Sequence, residues 1–470
     1  MLFFLLRHSV ALKFRRSEIG MKKWNGVPEM KEITVTRRLP VKYTVDLCVV
    51  GAGPAGIAAA VTAAGRGAKV LLIDGTAVPG GMSTAGLVPI FMPCSDGIHF
   101  LPDGFGRKVL DRLQSAAAVR GFKSGLTINA EHLKRIYEDL LTEAGVDILY
   151  YTRMCDAVVE SGRIEALLCS APGGNFAVKA PVYIDATGDG YLAALAGAPF
   201  EFGGENGDVM PSTLCSLWAG VDYAAYRAGG AFSHNDDNML AKLEEAFRDG
   251  TLSVEDYHHT GFSRISDVAA VGNISHVFGI DPTDEQSLTR GMIENRRLLG
   301  EYEEFYRRRI AGFENAEIAA SGSLLGVRES RRILGDYVLN RADYDAKRDF
   351  PDEIGRYNFP ADIHPSHPGR EELVAHKKLF RSSGYKTGDS YGIPYRILLP
   401  RGVENLLTCG RCVSCDRYVM ASIRVIPGCF ITGQAAGMAA GMAAGGGKTP
   451  REVDPVELRK ELRKAGAFFH

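Results

Sequence analysis

The chain carries 470 residues with 55 basic and 56 acidic side chains, a formal net charge of -1, and 46% hydrophobic and 24% charged residues. That length accommodates two or three domain-sized units, each with its own core, and the composition is that of an ordinary globular protein. The balanced charge argues against a nucleic-acid-binding surface as the main function.

The start, MLFFLL, is apolar, but six residues followed by Arg7 and His8 are too few for a signal core or a membrane span. Residues 1–30, with Met21 and Met30 as alternative starts, read as an extension; a cleaved targeting peptide is the other reading. Leu47 to Val50 is an apolar, β-branched run expected to form a buried parallel strand. It leads into Gly51, Gly53 and Gly56, then an Ala-rich helix, then a second apolar strand, Val70 to Ile73, ending at Asp74. In such a G-x-G-x-x-G unit Gly51 permits the tight turn, Gly53 lets backbone approach a pyrophosphate, and Gly56 lets helix and strand pack closely. The helix N-terminus presents amides and a positive dipole end to phosphates, and Asp74 is placed to accept from a ribose. The motif alone does not choose between NAD and FAD.

Further along, residues 101–117 read as a helix, and Asn129 as the cap of another that runs to Ala144, with Leu133, Ile136, Leu140 and Leu141 on one face. Residues 147–151 read as a strand, and 156–178 as a hairpin or three-stranded ribbon turning at Ser161-Gly162 and Gly173-Gly174. Residues 191–395 mix polar, aromatic and charged positions, with helices near 237–249 and 284–312, and end in a return to the nucleotide-binding pattern at 396–446. Residues 425–447 carry no charge and place Gly433, Gly437 and Gly441 at four-residue spacing. That spacing suits a membrane helix dimer, but Gln434 and the preceding segment favour a helix packed tightly on the nucleotide domain. The tail, 447–470, reads as an amphipathic surface helix.

Several segments in order, VVGAGPAGIAAA, PGGMSTAGL (79–87), YIDATGDG (183–190), GVRESRRILGDYVL (326–339), IPYRILLP (393–400), CGRCVS (409–414) and SIRVIPGCFITGQAAGMAA (422–440), carry a family resemblance. The chain resembles FAD-dependent oxidoreductases of the glutathione-reductase structural class, in particular the bacterial group with an inserted substrate domain. The resemblance implies an α/β architecture: a Rossmann-like FAD-binding domain, parallel sheet plus β-ribbon, at 31–190 and 396–446, and an inserted α+β domain at 191–395. It implies that FAD contacts extend from Gly51, Gly53, Gly56 and Asp74 to Pro54, Ala55, Gly80, Gly81, Met82, Met154, Ala186, Thr187, Gly188, Gly410, Arg411, Pro427 and Gln434. PGGMSTAGL holds no histidine for covalent attachment, so non-covalent FAD is expected. The helix begun at Pro427 would face its dipole to the flavin.

Only one dinucleotide fingerprint is present, so a small polar molecule is expected to reach the flavin directly and to exchange a hydride with N5. Arg328, Glu329, Ser330, Arg331 and Arg332 are the most suggestive substrate-side run. As a strand from 326 to 334, Arg328, Ser330 and Arg332 would share one face. That face either offers guanidinium forks to a carboxylate or developing charge, or is an ion-paired strand joining two domains. Arg417 stands where many relatives carry histidine. Arg328, Arg331, Arg417 and Tyr395 are therefore the candidate catalytic residues, with Tyr391 and Tyr395 read either as proton-transfer groups or as aromatic packing. His258 and His259 are adjacent and would point to opposite sides of a strand.

Cys409, Cys412 and Cys415 form C-x2-C-x2-C, which allows an iron–sulfur cluster or a redox dithiol, though the segment is already committed to the flavin turn. With a cluster the protein would be an electron-transfer subunit resembling the flavoprotein of heterodisulfide reductase; a third reading is a flavoprotein that uses FAD structurally or in RNA modification. No zinc pattern is seen, no membrane span is expected, and the absence of a secretory signal argues for the cytoplasm.

Overall fold

A computed structural model describes residue 33 and residues 35–470 except 123–124, 231–236 and 259–260. The extension expected at 1–30 and His259 lie outside the described residues. One sheet is wholly parallel, in the order Leu406–Thr408, Val182–Asp185, Leu47–Val50, Val70–Ile73, Asp147–Leu149. Leu47–Val50 and Val70–Ile73 are buried at every position, as strands covered on both faces must be.

The helix Pro54–Ala64 lies against the 21-residue helix Ile426–Gly446. A Cβ at Gly433 would stand 2.2 Å from Ala55 O, and one at Gly437 2.1 Å from Ala59 O. Gly433 and Gly437 therefore serve backbone-to-backbone packing inside the protein, and Gly441 faces the Arg66 side chain. Among the described residues no single helix is long and apolar enough to cross a membrane; Arg417–Ile423 and Ile426–Gly446 pass only as a pair, bent by 93°.

The ribbon has four strands rather than three: Arg153–Glu160, Arg163–Ala171 and Gly174–Lys179 form the expected meander, and Val41–Thr44 adds to it in parallel. The helix Ala130–Glu143 is capped by Asn129, whose side chain accepts from the Glu131 and His132 amides.

A second core surrounds Trp218, with Leu243, Phe305, Tyr306 and Phe313 buried in it. It sits between the antiparallel sheet Phe262–Arg264, Ala269–Gly272, Ser216–Ala219, Glu317–Ser321 and the helices Asp237–Arg248 and Glu285–Arg309. This unit is shorter than the insertion expected over 191–395. Its core spans residues 214–325, whereas Tyr344, Phe350, Tyr357, Phe359, Tyr391 and Ile393 join the core of the parallel sheet. The expected strand at 326–334 is also reduced, to Arg331–Ile333 paired with Phe200–Phe202. Arg328, Glu329 and Ser330 are consecutive and all buried, which a strand with one open face does not allow.

Candidate FAD and substrate site

The turn after Leu47–Val50 is shaped by backbone. Gly51 has φ 101°, and a Cβ there would lie 2.6 Å from Ala186 O; a Cβ on Gly56 would lie 1.9 Å from Gly51 O. Gly53 differs: its Cβ would find only Ala186 O, at 4.0 Å, so the space over it is free of protein atoms. Gly81 faces it, a Cβ there standing 3.3 Å from Gly53 Cα, and the Gly80 amide donates to Ala52 O at 2.7 Å. Gly53 caps the Pro54–Ala64 helix without any side-chain hydrogen bond, so the first-turn amides of Pro54–Ala64 have no side-chain cap. Asp74 accepts from the Ala52 amide at 2.6 Å and the Thr76 amide at 2.7 Å. Its own carbonyl takes the Thr152 amide, which brings Met154 alongside. Open space at Gly53, uncapped amides and an anchored carboxylate fit the pyrophosphate and ribose of a dinucleotide.

The segment from Ala186 to Gly188 is organised by Asp185, which sequence reasoning missed. Its buried carboxylate accepts from Thr187 Oγ1 at 2.7 Å, the Thr187 amide at 3.0 Å and the Ala193 amide at 2.8 Å. Burial pushes its pKa up, against those hydrogen bonds. Arg411 ties this turn to the inserted unit: Nε donates to Gly188 O at 2.9 Å, Nη2 meets Asp189 at 2.6 Å, and Nη1 donates to Val327 O. The Gly410 amide donates to Thr432 Oγ1 at 3.1 Å. Pro427 lies in the uncapped first turn of Ile426–Gly446. Gln434 Oε1 accepts from the Phe105 amide at 2.6 Å, at the start of the helix Phe105–Ser115, while its buried Nε2 has no partner among the described residues.

The candidate catalytic residues separate. Tyr395 is fully buried and donates to Pro450 O at 2.8 Å, beneath the C-terminal segment; it is a packing residue. Tyr391 meets Ser422 Oγ at 3.0 Å in the same core. Arg417 pairs with Glu329 at 2.9 Å, and Glu329, buried, also pairs with Arg332 at 3.1 Å. Arg331 donates to Asp189 O at 3.3 Å and lies over the Phe200 ring. For Glu329, Arg332 and Arg417 the ion-paired alternative holds. Arg328 is different: it is buried, and its Nη1 donates to two neutral oxygens, Pro211 O and Thr213 Oγ1, both at 2.8 Å.

Beside Arg328 lies a group of side chains no sequence motif announced. The His258 ring stacks on His364 at 4.4 Å between centroids and lies 4.3 Å from His376 and 5.4 Å from His276. Arg424, at the corner between Arg417–Ile423 and Ile426–Gly446, donates to Asp362 O at 3.1 Å and Oδ2 at 3.3 Å. Asp362 Oδ2 also meets His364 Nε2 at 3.1 Å, and His276 Nδ1 meets Asp256 at 2.7 Å. Burial, then the neighbouring imidazoles, hold His258 well below its ordinary pKa; burial does the same to His364 against the pull of Asp362. Burial would raise Asp362, but His364 and Arg424 keep it well below the carboxylate range. Burial and nearby Arg424 push Arg328 down to about 10. The only sequence signal was a repeated Asp-x-His, Asp256/His258 and Asp362/His364.

The family model for FAD dependent oxidoreductase matches residues 46–462. The chain belongs to that family. Digeranylgeranylglycerophospholipid reductase of Methanocella arvoryzae is 27% identical over 163 residues, 32% of this chain and 40% of that protein. Ferredoxin–NADP reductase of Saccharopolyspora erythraea is 35% identical over 137 residues, 29% of this chain and 37% of that protein. The chain thus spans well under two thirds of either curated relative. Among solved structures, a geranylgeranyl bacteriochlorophyll reductase-like protein of Thermoplasma acidophilum is 13% identical with a TM-score of 0.43, covering 90% of this chain and 84% of that one. The p-nitrophenol 4-monooxygenase of Pseudomonas putida is 11% identical with a TM-score of 0.45, covering 90% and 87%.

In this FAD-dependent oxidoreductase the three spaced cysteines do not converge. Cys409 and Cys415 belong to the core of the parallel sheet, Cys412 to the core under the ribbon. Cys412 Sγ donates to Cys409 O and Cys415 Sγ to Val413 O, and burial raises all three thiols above their ordinary pKa. Among the described residues no group of three or more His, Cys, Asp or Glu side chains is arranged to hold a metal ion. The spacing is accounted for by packing.

Proposed function

We propose that the protein oxidises or reduces a small polar organic molecule, with FAD held non-covalently in the glycine cradle and the substrate held where the inserted unit meets Arg424. FAD, when bound, supplies a two-electron carrier that exchanges a hydride with the substrate. Gly53, Gly80, Gly81 and the amides after Pro54 would take the pyrophosphate, Asp74 the ribose, and the helix start at Pro427 the flavin. Arg328 and Arg424 would fix an acidic or carbonyl group of the substrate.

The observation that carries this reading is the position of the cluster. Arg424 ends the helix immediately before Pro427, and Arg328 follows Val327, whose carbonyl is bound by Arg411 from the flavin-side turn. The loop 80–88 touches the inserted unit as well: the Ser323 amide donates to Ala85 O at 2.8 Å. These hydrogen bonds join chain next to the cradle with chain next to Arg328, which supports a substrate held beside the cofactor. All nine cysteines are free thiols, which supports a reducing, cytoplasmic setting. The test is an anaerobic screen of metabolites on FAD-loaded protein, following loss of flavin colour. Bleaching by a small polar compound with no protein partner present supports the reading; bleaching only when a redox protein is added contradicts it.

A further inference from the structure

We propose that a groove on the inserted unit, between the helix Glu285–Arg309 and the segments at 253–254 and 276–278, binds a monocarboxylic acid with a compact apolar body. The site is separate from the substrate position proposed above: neither Arg328, Arg424 nor any glycine of the cradle lines it.

On the helix, Glu294, Leu298 and Glu301 are four and three residues apart and share one face. His276, Val277 and Phe278 lie across from that face. The Ser253 amide and hydroxyl donate to Glu301 at 2.8 and 2.9 Å, which fixes the third side. The cavity between them measures about 270 Å³. An apolar cavity of about 150 Å³ is enough for a benzene ring, so the groove has room for a ring or a short branched chain with a polar end. Val254, Val277, Phe278 and Leu298 give it apolar walls, against which a ligand's apolar surface leaves water.

The charges decide the polar end. Glu301 is engaged by Ser253, and Glu294 by Arg290 at 3.3 Å. Arg297 also lines the groove, is exposed, and has no ion pair or hydrogen bond among the described residues. The charge left over is therefore positive. A planar guanidinium matches a carboxylate's two oxygens, whereas an ammonium group would meet carboxylates already engaged and be repelled by Arg297. The inner wall gives a second, independent sign of an occupant. His276 is 2% exposed, its Nδ1 meets Asp256 at 2.7 Å, and its Nε2 is buried without a partner among the described residues. In either tautomer such an atom costs free energy, and a polar group or water held under a ligand removes that cost.

Titration of the FAD-loaded full-length protein with phenylacetate, benzoate and isovalerate, followed by ligand-observed NMR, tests this, with acetate, benzyl alcohol, benzylamine and inorganic phosphate as comparators. At least one of the three acids should bind about tenfold or more tighter than acetate, through its apolar body. It should bind about fivefold tighter than benzyl alcohol, the upper end for an ion pair open to solvent. Arg297→Ala changes an exposed position and should remove the second difference while keeping the FAD content; Arg297→Glu should turn the preference to benzylamine. Phe278→Ala should weaken the three acids and leave acetate unchanged, and Val254→Ser replaces it if that variant melts early. No binding of the three acids, binding no tighter than acetate or benzyl alcohol, tighter binding of phosphate, or wild-type binding by Arg297→Ala would each overturn the proposal. Flavin bleached by a metabolite in a protein that holds no acid would overturn this site and keep the oxidoreductase reading. Acids held through Arg297 in a protein that no metabolite bleaches would do the reverse.

Discussion

The two halves of the site bind by opposite means. The cradle is made of backbone: Gly51, Gly56 and Gly81 let the chain pack closely, Gly53 leaves open space, and all four lie within one stretch of chain. The cluster is made of charged and imidazole side chains from segments at 256–276, 328, 362–376 and 424, held in a buried setting. A backbone site is lost by adding atoms, and a side-chain site by removing them or by changing their charge.

The largest effect is expected where backbone meets backbone with no room. Gly437→Val puts branched carbons against Ala59 O, where even a Cβ would lie at 2.1 Å. Overpacking of this kind costs about 3 kcal/mol or more, so the variant should fail to accumulate as folded protein; circular dichroism and thermal melting check it. Gly53→Val is the contrast, because the protein itself leaves that space free. It should fold with a wild-type melting temperature and carry no FAD, read as absorbance in the supernatant after acid precipitation.

This division also explains what could be read from the chain. Strand, glycine turn, helix and Asp74 are contiguous, and their spacing reports a local backbone shape. The cap at Asn129 and the ribbon turns at Gly162 and Gly174 are legible for the same reason. The histidine cluster is not local: His276 and His364 meet only because the inserted unit folds back on the segment before Gly369. A run of charges does not disclose which members find carboxylates: Glu329 took Arg332 and Arg417, whereas Arg331 met the Asp189 carbonyl and the Phe200 ring. Tyr395 and the cysteine triplet were residue types with chemical potential that the fold uses as packing.

A smaller effect separates the halves by pH. His258 and His364 are held neutral when folded but take up protons near pH 6.5 once unfolded, so below that pH the unfolded chain binds more protons. Stability should therefore be full above about pH 6.5 and fall as pH drops, by about 1.4 kcal/mol per pH unit for a fully buried imidazole. Asp362, held ionised, adds no slope in that window. Melting temperatures from pH 8 to 5 should drop less steeply in His364→Gln, and an unchanged slope would mean that the imidazole is not held neutral. The smallest effect is expected from Tyr395→Phe, which removes one hydrogen bond to Pro450 O. It should cost about 1 kcal/mol of stability and leave flavin reduction unchanged.

The most direct measurement is the anaerobic rate of flavin reduction by an identified substrate in wild type and in Arg328→Ala, at matched FAD content. Loss of a buried charged partner costs about 2–5 kcal/mol, or roughly thirtyfold to several-thousandfold. Reduction should slow by that range while FAD content stays the same. Equal rates in the two proteins would contradict the account and assign Arg328 to structure alone.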